Sequence, residues 1–301
     1  MSKISFLDNA VQGKNTRGSY ILTMGITFIG GTFDSFSLLI LIAVLYLLSL
    51  GSARNATQTN ILNDPFMMLI LIGISYGIFS LLFYLCVRFV HKKHFISLIN
   101  TGKNIKWRRI LKGAGLWAGI MGFSTIISFI FQGDSLSFKF DFGSFIVLLF
   151  LSILIFPLQA SFEEIFFRGY LMQAIGLITK KPVIPLIITT LIFGLIHFNN
   201  GTDFTMSISI VISALIVGLM LGIIVLGENG LETAMGVHIA NNLFVALILN
   251  SSNSGIDGLP SLITAQTTDQ LSSILLLILM VGIMIILLFW NKKENLYRIF
   301  Q

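Results

Sequence analysis

The stretch LSILIFPLQASFEEIFFRGYL, from Leu151 to Leu171, is an apolar run long enough to cross a membrane, which indicates a membrane protein. It also places Glu163, Glu164 and Arg168 inside that run. An ionisable side chain at bilayer depth costs at least about 2.5 kcal/mol on insertion scales. A purely apolar sequence would cross the membrane at lower cost, so these charges indicate a functional site.

The composition of the whole chain places this stretch in a membrane protein. The 301 residues are 55% hydrophobic and 11% charged, with a mean hydropathy of +0.92, whereas a soluble domain has about 25% charged residues. We therefore predict an all-α polytopic membrane protein, a bundle of about eight transmembrane helices. The predicted spans are Phe28 to Leu50, Pro65 to Val90, Ile110 to Phe131, Gly143 to Phe167, Pro182 to Phe198, Phe204 to Leu226, Leu231 to Leu249 and Leu271 to Trp290.

Lysine and arginine predict the orientation of this bundle, because cytoplasmic loops hold the excess of positive charge. With both termini in the cytoplasm, Arg54 and Lys139 are the two of the 19 basic residues that fall outside. The net charge of +6 then reflects topology and contact with anionic lipid, and it does not indicate nucleic-acid binding. We expect a multi-pass protein of a bacterial plasma membrane.

The three charges of the opening stretch have different predicted tasks. Glu163 and Glu164 differ by 100° around a helix and cannot share one face. Glu164 and Arg168 are four residues apart with the acid first, which favours an intrahelical ion pair that keeps both groups charged. Glu163 is then free to act as a general base. The alternative is that all three form a purely structural charge cluster.

Two later spans carry one histidine each. His197 and Glu163 are ~22 Å and ~25 Å from the turn that joins their helices, at a rise of 1.5 Å per residue, so the two side chains could meet. His238 and Asn242 lie one turn apart and can offer two hydrogen bonds to an oxyanion, whereas Asn241 points elsewhere. There is an alternative interpretation for each: His197 could be a hydrogen-bonded residue at the membrane interface, and His238 and Asn242 could bridge helices.

A metal centre is the competing arrangement of the same groups. Glu163, His197 and His238 would supply the two histidines and one carboxylate of a catalytic zinc site. The sequence contains no HExxH motif, and its one cysteine, Cys86, excludes a cysteine cluster. A site without a cofactor is favoured over zinc. The remaining histidines, His91 and His94, are expected to be solvated in a basic loop.

Three motifs resemble those of the CPBP family, which comprises CAAX prenyl endopeptidases and bacteriocin-processing enzymes and is also called Abi. They are EEIFFR with Glu163, Glu164 and Arg168, FGLIH with Phe193 and His197, and HIANN with His238 and Asn242. They occur in the family's order within residues 145–250, about a third of the chain.

The resemblance implies an eight-helix intramembrane endopeptidase. It also implies that Glu163 and His197 activate water and that His238 and Asn242 stabilise the oxyanion, supported by Glu164, Arg168 and Phe193. Family members are often labelled metalloproteases, a label disputed in favour of glutamate-dependent catalysis. We divide the chain into an N-terminal three-helix membrane region (1–142), a CPBP-like catalytic core of four helices (143–250) and a C-terminal loop, last helix and basic tail (251–301).

The predicted function is therefore cleavage of a peptide or membrane-associated protein substrate in contact with the lipid bilayer, without nucleic acid. The sequence leaves open the substrate, its prenylation and the oligomeric state. A non-catalytic membrane scaffold or bacteriocin-immunity protein could use the same bundle. A proton-coupled transporter would also bury acids and histidines, but the two halves show no matching pair of helices interrupted by glycine or proline.

Overall fold

A computed structural model describes residues 5–34, 36–37, 64–132, 136–179, 181–251, 258–265 and 270–300 of the chain. Helices make up most of these residues, which confirms the predicted all-α polytopic bundle. Six helices in this part of the chain are long and apolar enough to cross a membrane: Pro65–Val90, Trp107–Phe131, Phe142–Gly176, Val183–Asn200, Phe204–Glu228 and Gln270–Phe289.

Two of the eight predicted spans, the first and the seventh, are not among these six helices. The first, Phe28 to Leu50, lies mostly outside the described residues. The seventh forms the helix Glu232–Leu247, which has only 16 residues and a length of ~24 Å. That is less than the ~30 Å of a hydrocarbon core, and the first half of this helix is buried by its neighbours.

The elements are numbered in chain order. The α-helices are α1 Ser5–Asp8, α2 Arg17–Met24, α3 Pro65–Leu85, α4 Trp107–Gln132, α5 Phe142–Glu164, α6 Met172–Gly176, α7 Val183–Leu195, α8 Phe204–Glu228, α9 Glu232–Leu247, α10 Gln270–Phe289 and α11 Lys293–Phe300. The π-helical segments are Gly25–Gly30, Cys86–Val90 and Ile165–Leu171, and the 3-10 turns are Asn9–Val11, Phe95–Leu98 and Phe198–Asn200.

Three of the long helices begin at an aspartate in extended conformation. The side chains of Asp64, Asp141 and Asp203 accept hydrogen bonds from the backbone N–H groups three residues later, at 2.9, 2.8 and 2.9 Å. Each satisfies one of the donors that a helix leaves unpaired at its first turn. The starts of α3, α5 and α8 are therefore fixed by local sequence.

Helix α9 packs most closely against α4. A Cβ atom on Gly236 of α9 would lie 2.0 Å from the carbonyl oxygen of Ile110, and one on Gly113 of α4 would lie 2.3 Å from that of Thr233. Only glycine permits this backbone approach, as at small-residue contacts between membrane helices. The contact holds α9 in the interior of the bundle, where it presents His238.

The opening stretch forms one continuous helical rod of 35 residues, from Phe142 to Gly176. It changes from α-helix to π-helix immediately after Glu164, and Arg168 lies within the π segment. Short π segments inside α-helices often occur at functional sites. Helix α5 packs against α3 and α9, so its acidic end faces side chains from both.

A small sheet adds to the predicted all-α fold. Strands β1 Leu136–Phe138, β2 Leu249–Ser251 and β3 Ile263–Ala265 form the order β1-β3-β2, with β1 antiparallel and β2 parallel to β3. Each strand has three residues, too few for a periodic sequence signal. The sheet connects the loops before α5 and α10.

The expectation that His91 is solvated was wrong, although His94 is exposed. His91 is only 2% exposed; its Nδ1 donates to the carbonyl oxygen of Lys14 at 2.9 Å, and its Nε2 accepts from the Tyr170 hydroxyl at 2.9 Å. Burial lowers the pKa of His91, which agrees with a neutral ring. The N-terminal segment folds onto this loop and covers His91, a contact between residues 77 positions apart in the sequence.

Candidate active site

Glu164 and Arg168 form the predicted ion pair, and both side chains are fully buried. Arg168 Nη1 donates to Glu164 Oε1 at 2.8 Å, and Nη2 donates to the carbonyl oxygen of Gly218 at 3.2 Å. The guanidinium carbon lies 4.2 Å from the ring centre of Phe193, a cation–π distance. This pairing keeps a charged arginine tolerable in the bundle interior and ties α5 to α7 and α8.

His238 lies between the two glutamates, an arrangement that spacing along the helix did not predict. Its Nδ1 is 2.8 Å from Glu164 Oε1, and its Nε2 is 3.7 Å from Glu163 Oε2. Because the Glu164 carboxylate also accepts from Arg168, it accepts here too, and Nδ1 carries the hydrogen. The contact fixes the orientation of the imidazole, with Nε2 directed at Glu163.

Glu163 is held on its other oxygen. The Tyr76 hydroxyl donates to Oε1 at 2.5 Å, and Gln159 Nε2 donates to the same atom at 3.4 Å. The residue is 5% exposed. Two signals in the sequence could have identified these partners: a phenol inside an apolar span needs an acceptor, and Gln159 precedes Glu163 by one helical turn.

His197 lies in the turn that follows α7, half-buried. Its Nδ1 donates to the carbonyl oxygen of Phe193 at 2.7 Å, and the two rings are 4.7 Å apart. A neutral ring with Nδ1 protonated leaves an acceptor lone pair on Nε2. Within the described residues, no hydrogen bond or ion pair joins His197 to Glu163, so the predicted meeting of these side chains is not a direct contact.

Asn242 and Asn241 both border the site, which corrects the expectation that Asn241 points elsewhere. Asn241 Oδ1 accepts from Trp117 Nε1 at 3.1 Å, and Asn241 Nδ2 donates to Asn242 Oδ1 at 3.3 Å. Because its oxygen is the atom engaged, Asn242 Nδ2 remains available as a donor to a ligand. A buried indole on α4 thus orients the amide that the sequence singled out.

One cavity of about 600 Å³ contacts all four predicted catalytic residues. We call it the central cavity; its walls come from α3, α5, α8, α9 and α10 and from the region of α7 and its following turn. Phe193, Tyr76 and Gln159 line it as well. Its polar residues share the wall with apolar side chains, among them Ile72, Phe156, Ile196, Val217, Leu259, Ile274 and Leu277.

Glu163, His197 and His238, the ligands of the alternative zinc site, are not grouped as a ligand set in the described residues. In the part of the chain that the structure describes, no three His, Cys, Asp or Glu side chains are grouped closely enough to hold a metal ion. His238 Nδ1 contacts Glu164, and His197 Nδ1 contacts the carbonyl oxygen of Phe193, which are contacts that metal-binding histidines also make.

Comparisons with known proteins show which family this chain is similar to. A family model described as Type II CAAX prenyl endopeptidase Rce1-like matches residues 144–244. The chain is 33% identical over 205 residues to the Uncharacterized protein YyaK of Bacillus subtilis (strain 168). The aligned region covers 68% of this chain and 69% of that protein. No solved structure gives a significant match. The matched residues include Glu163, His197, His238 and Asn242.

Proposed function

The chain belongs to the CPBP family of intramembrane proteases, that of the Rce1-like CAAX prenyl endopeptidases, and we therefore propose that it cleaves peptide bonds at the membrane. The observation that carries this proposal is the convergence of Glu163, His197, His238 and Asn242 on the central cavity. They come from three separate parts of the chain. A purely structural charge cluster would not require His197 and Asn242 on the same cavity wall.

In this mechanism Glu163 is the general base. Tyr76 and Gln159 occupy Oε1, so Oε2 is the oxygen that takes a proton from water. His197 Nε2 accepts the second hydrogen of that water as a hydrogen bond and orients it. The resulting hydroxide attacks the carbonyl carbon of the scissile bond, which gives a tetrahedral intermediate with a negatively charged oxygen.

Asn242 Nδ2 and His238 Nε2 then donate hydrogen bonds to that oxygen. Because His238 Nδ1 already donates to Glu164, Nε2 donates only when the imidazole carries both protons. The carboxylates on either side, at 2.8 and 3.7 Å, compensate that positive charge. Collapse of the intermediate breaks the C–N bond, and Glu163 returns its proton to the leaving amine. The products are a carboxyl and an amine terminus.

This proposal is glutamate-dependent and contains no metal step. Its basis is the donor geometry, since Glu163, His197 and His238 are not grouped as ligands. Elemental analysis of purified, active protein tests it. Zinc at one equivalent per chain, with activity lost on chelation and restored by zinc alone, would contradict the proposal.

The substrate is proposed to be a peptide or protein segment held at the bilayer. The apolar wall of the central cavity suits a lipid-anchored or apolar segment, and the polar wall suits the scissile amide. The distribution of lysine and arginine and the Bacillus relative support a bacterial plasma membrane, with both termini in the cytoplasm.

The test compares wild type with Glu163→Gln and with Glu294→Gln, which changes an exposed carboxylate on α11. Purified proteins in liposomes receive two internally quenched peptides that end in a CAAX sequence, identical except for a farnesyl group on the cysteine. Mass spectrometry also compares new peptide termini in membranes from cells that express each variant.

We expect wild type and Glu294→Gln to cleave alike, and Glu163→Gln to lose at least about a hundredfold in rate. Preference for the farnesylated peptide would identify a prenyl-dependent substrate. Equal cleavage by Glu163→Gln would overturn the mechanism. If wild type produces no new terminus in either experiment, the scaffold or immunity function is favoured.

A further inference from the structure

A second cavity lies where the span Pro65–Val90 ends. It measures about 240 Å³ and shares no lining residue with the central cavity. We call it the basic pocket; it is lined by Tyr84, Arg88, Lys93, His94 and Phe95. Three of these five side chains are basic, and the other two are aromatic.

No acidic side chain in the described structure balances these bases. The sequence contains no Asp or Glu between Asp64 and Asp134. Within the described residues, no ion pair involves Arg88, Lys93 or His94. The pocket therefore concentrates positive charge, which is what a site for an anion requires.

Lys93 is the unusual member of the pocket, because it is only 6% exposed. Its Nζ donates to Gln173 Oε1 at 2.8 Å, which uses one of the three hydrogens of an ammonium group. Burial lowers the pKa of Lys93 to about 8. A buried ammonium group with a single neutral acceptor is costly unless a further acceptor occupies the adjoining space.

The backbone around Lys93 is held in place before any ligand arrives. Lys92 adopts a left-handed conformation, with φ of 51°, which turns the chain between the exposed Lys92 and the buried Lys93. The Lys14 backbone N–H donates to the carbonyl oxygen of His91 at 2.6 Å, and Gln173 Nε2 donates to that of Ser97 at 2.9 Å. Because these contacts already hold the backbone in place, less conformational entropy is lost when a ligand binds.

We propose that the basic pocket binds the phosphate group of an anionic phospholipid. Phosphate matches a guanidinium fork and an ammonium point charge better than a neutral headgroup does. The end of a membrane span is where headgroups lie, and Tyr84 is an aromatic residue of the kind that is enriched at this interface. Free phosphate offers the same chemistry, so the experiment distinguishes the two sources.

The experiment measures the dissociation constants of three soluble probes for the detergent-solubilised full chain: dihexanoyl phosphatidylglycerol, dihexanoyl phosphatidylcholine and inorganic phosphate. The variants are Arg88→Gln, His94→Gln and Lys93→Gln. Lys103→Gln is the matched control, because it removes one charge from the same loop at an exposed position outside the pocket.

We expect phosphatidylglycerol to bind more tightly than phosphatidylcholine, and Arg88→Gln to weaken it about tenfold, the typical effect of one charge-assisted hydrogen bond. Lys103→Gln should bind as wild type does. Since Arg88 and His94 are exposed, their variants keep the test valid if Lys93→Gln fails to fold.

The phosphate arm identifies the source. Phosphatidylglycerol binding far tighter than inorganic phosphate supports a lipid ligand, and equal affinities with the same loss in Arg88→Gln support free phosphate at the same site. Equal binding of phosphatidylcholine and phosphatidylglycerol would overturn the proposal. The proposal would also be overturned if Arg88→Gln and His94→Gln both bound phosphatidylglycerol as tightly as the control Lys103→Gln.

Discussion

Glu163 and Glu164 are adjacent, yet we expect Glu164→Gln to lower the stability of the fold and Glu163→Gln to leave it unchanged. Glu164→Gln removes the carboxylate that pairs directly with the fully buried guanidinium of Arg168 and leaves it a carbonyl oxygen as its remaining hydrogen-bond partner among the described residues, beside the ring of Phe193. Breaking a buried ion pair on one side costs about 3 to 5 kcal/mol. Glu163→Gln leaves an amide oxygen that still accepts from Tyr76, so the fold should keep its stability.

The assay is unfolding of each purified variant in mixed micelles, monitored by loss of helix and by heat, together with the peptide-cleavage rate of the folded fraction. Glu164→Gln should lower the free energy of unfolding by about 3 kcal/mol or more. Adding Arg168→Met removes the stranded cation at similar volume and should recover part of that loss. Glu163→Gln should unfold as wild type does, without cleavage activity.

Two results would refute this division of tasks. If Glu163→Gln and Glu164→Gln lower stability equally, the three charges act as a structural cluster, the alternative that the sequence left open. If Arg168→Met worsens the Glu164→Gln variant, the stranded arginine is not the cause of its instability.

Three further predictions test other parts of the molecule. Gly236→Ala should lower the free energy of unfolding by at least about 1 to 3 kcal/mol, because the added Cβ would lie 2.0 Å from a backbone oxygen. Gly119→Ala should leave it unchanged, because no atom lies within 4 Å of its added Cβ, and thermal scans compare the two variants. Tyr76→Phe should lower kcat about tenfold with KM unchanged if the hydroxyl orients Glu163, and a changed KM would instead indicate substrate binding. The affinity for dihexanoyl phosphatidylglycerol should be highest below pH 8 and fall by at most about tenfold per pH unit above it, because Lys93, with a pKa of about 8, loses its charge there. In Lys93→Gln this fall in affinity should disappear.

Much of the fold could be predicted from the sequence, because membrane helices satisfy their backbone hydrogen bonds internally and have a length set by the bilayer. The predicted span Pro65 to Val90 coincides with the helix found there, and the helix of the opening stretch continues past Arg168 to Gly176. The seventh predicted span, Leu231 to Leu249, forms a helix of only 16 residues. Neighbouring helices surround it, so its length does not have to match the thickness of the bilayer.

The site was predictable wherever its contacts are local. The Glu164 and Arg168 pair follows from a spacing of four residues, and the structure confirms it at 2.8 Å. The roles assigned to Glu163, His197, His238 and Asn242 stay predictions, although all four line one cavity.

Hydropathy and residue spacing were therefore enough to predict a helical membrane bundle, the ion pair that makes its buried charge tolerable, and the family motifs. The packing of distant helices, in contrast, places His238 between the two glutamates and brings Tyr76, 87 residues away in sequence, into contact with Glu163. Helix packing also buries His91 and leaves the ammonium group of Lys93 with one of its three hydrogens donated, to Gln173. The physical reason is that helix periodicity fixes which residues share a face, whereas the partner of that face depends on how distant helices pack.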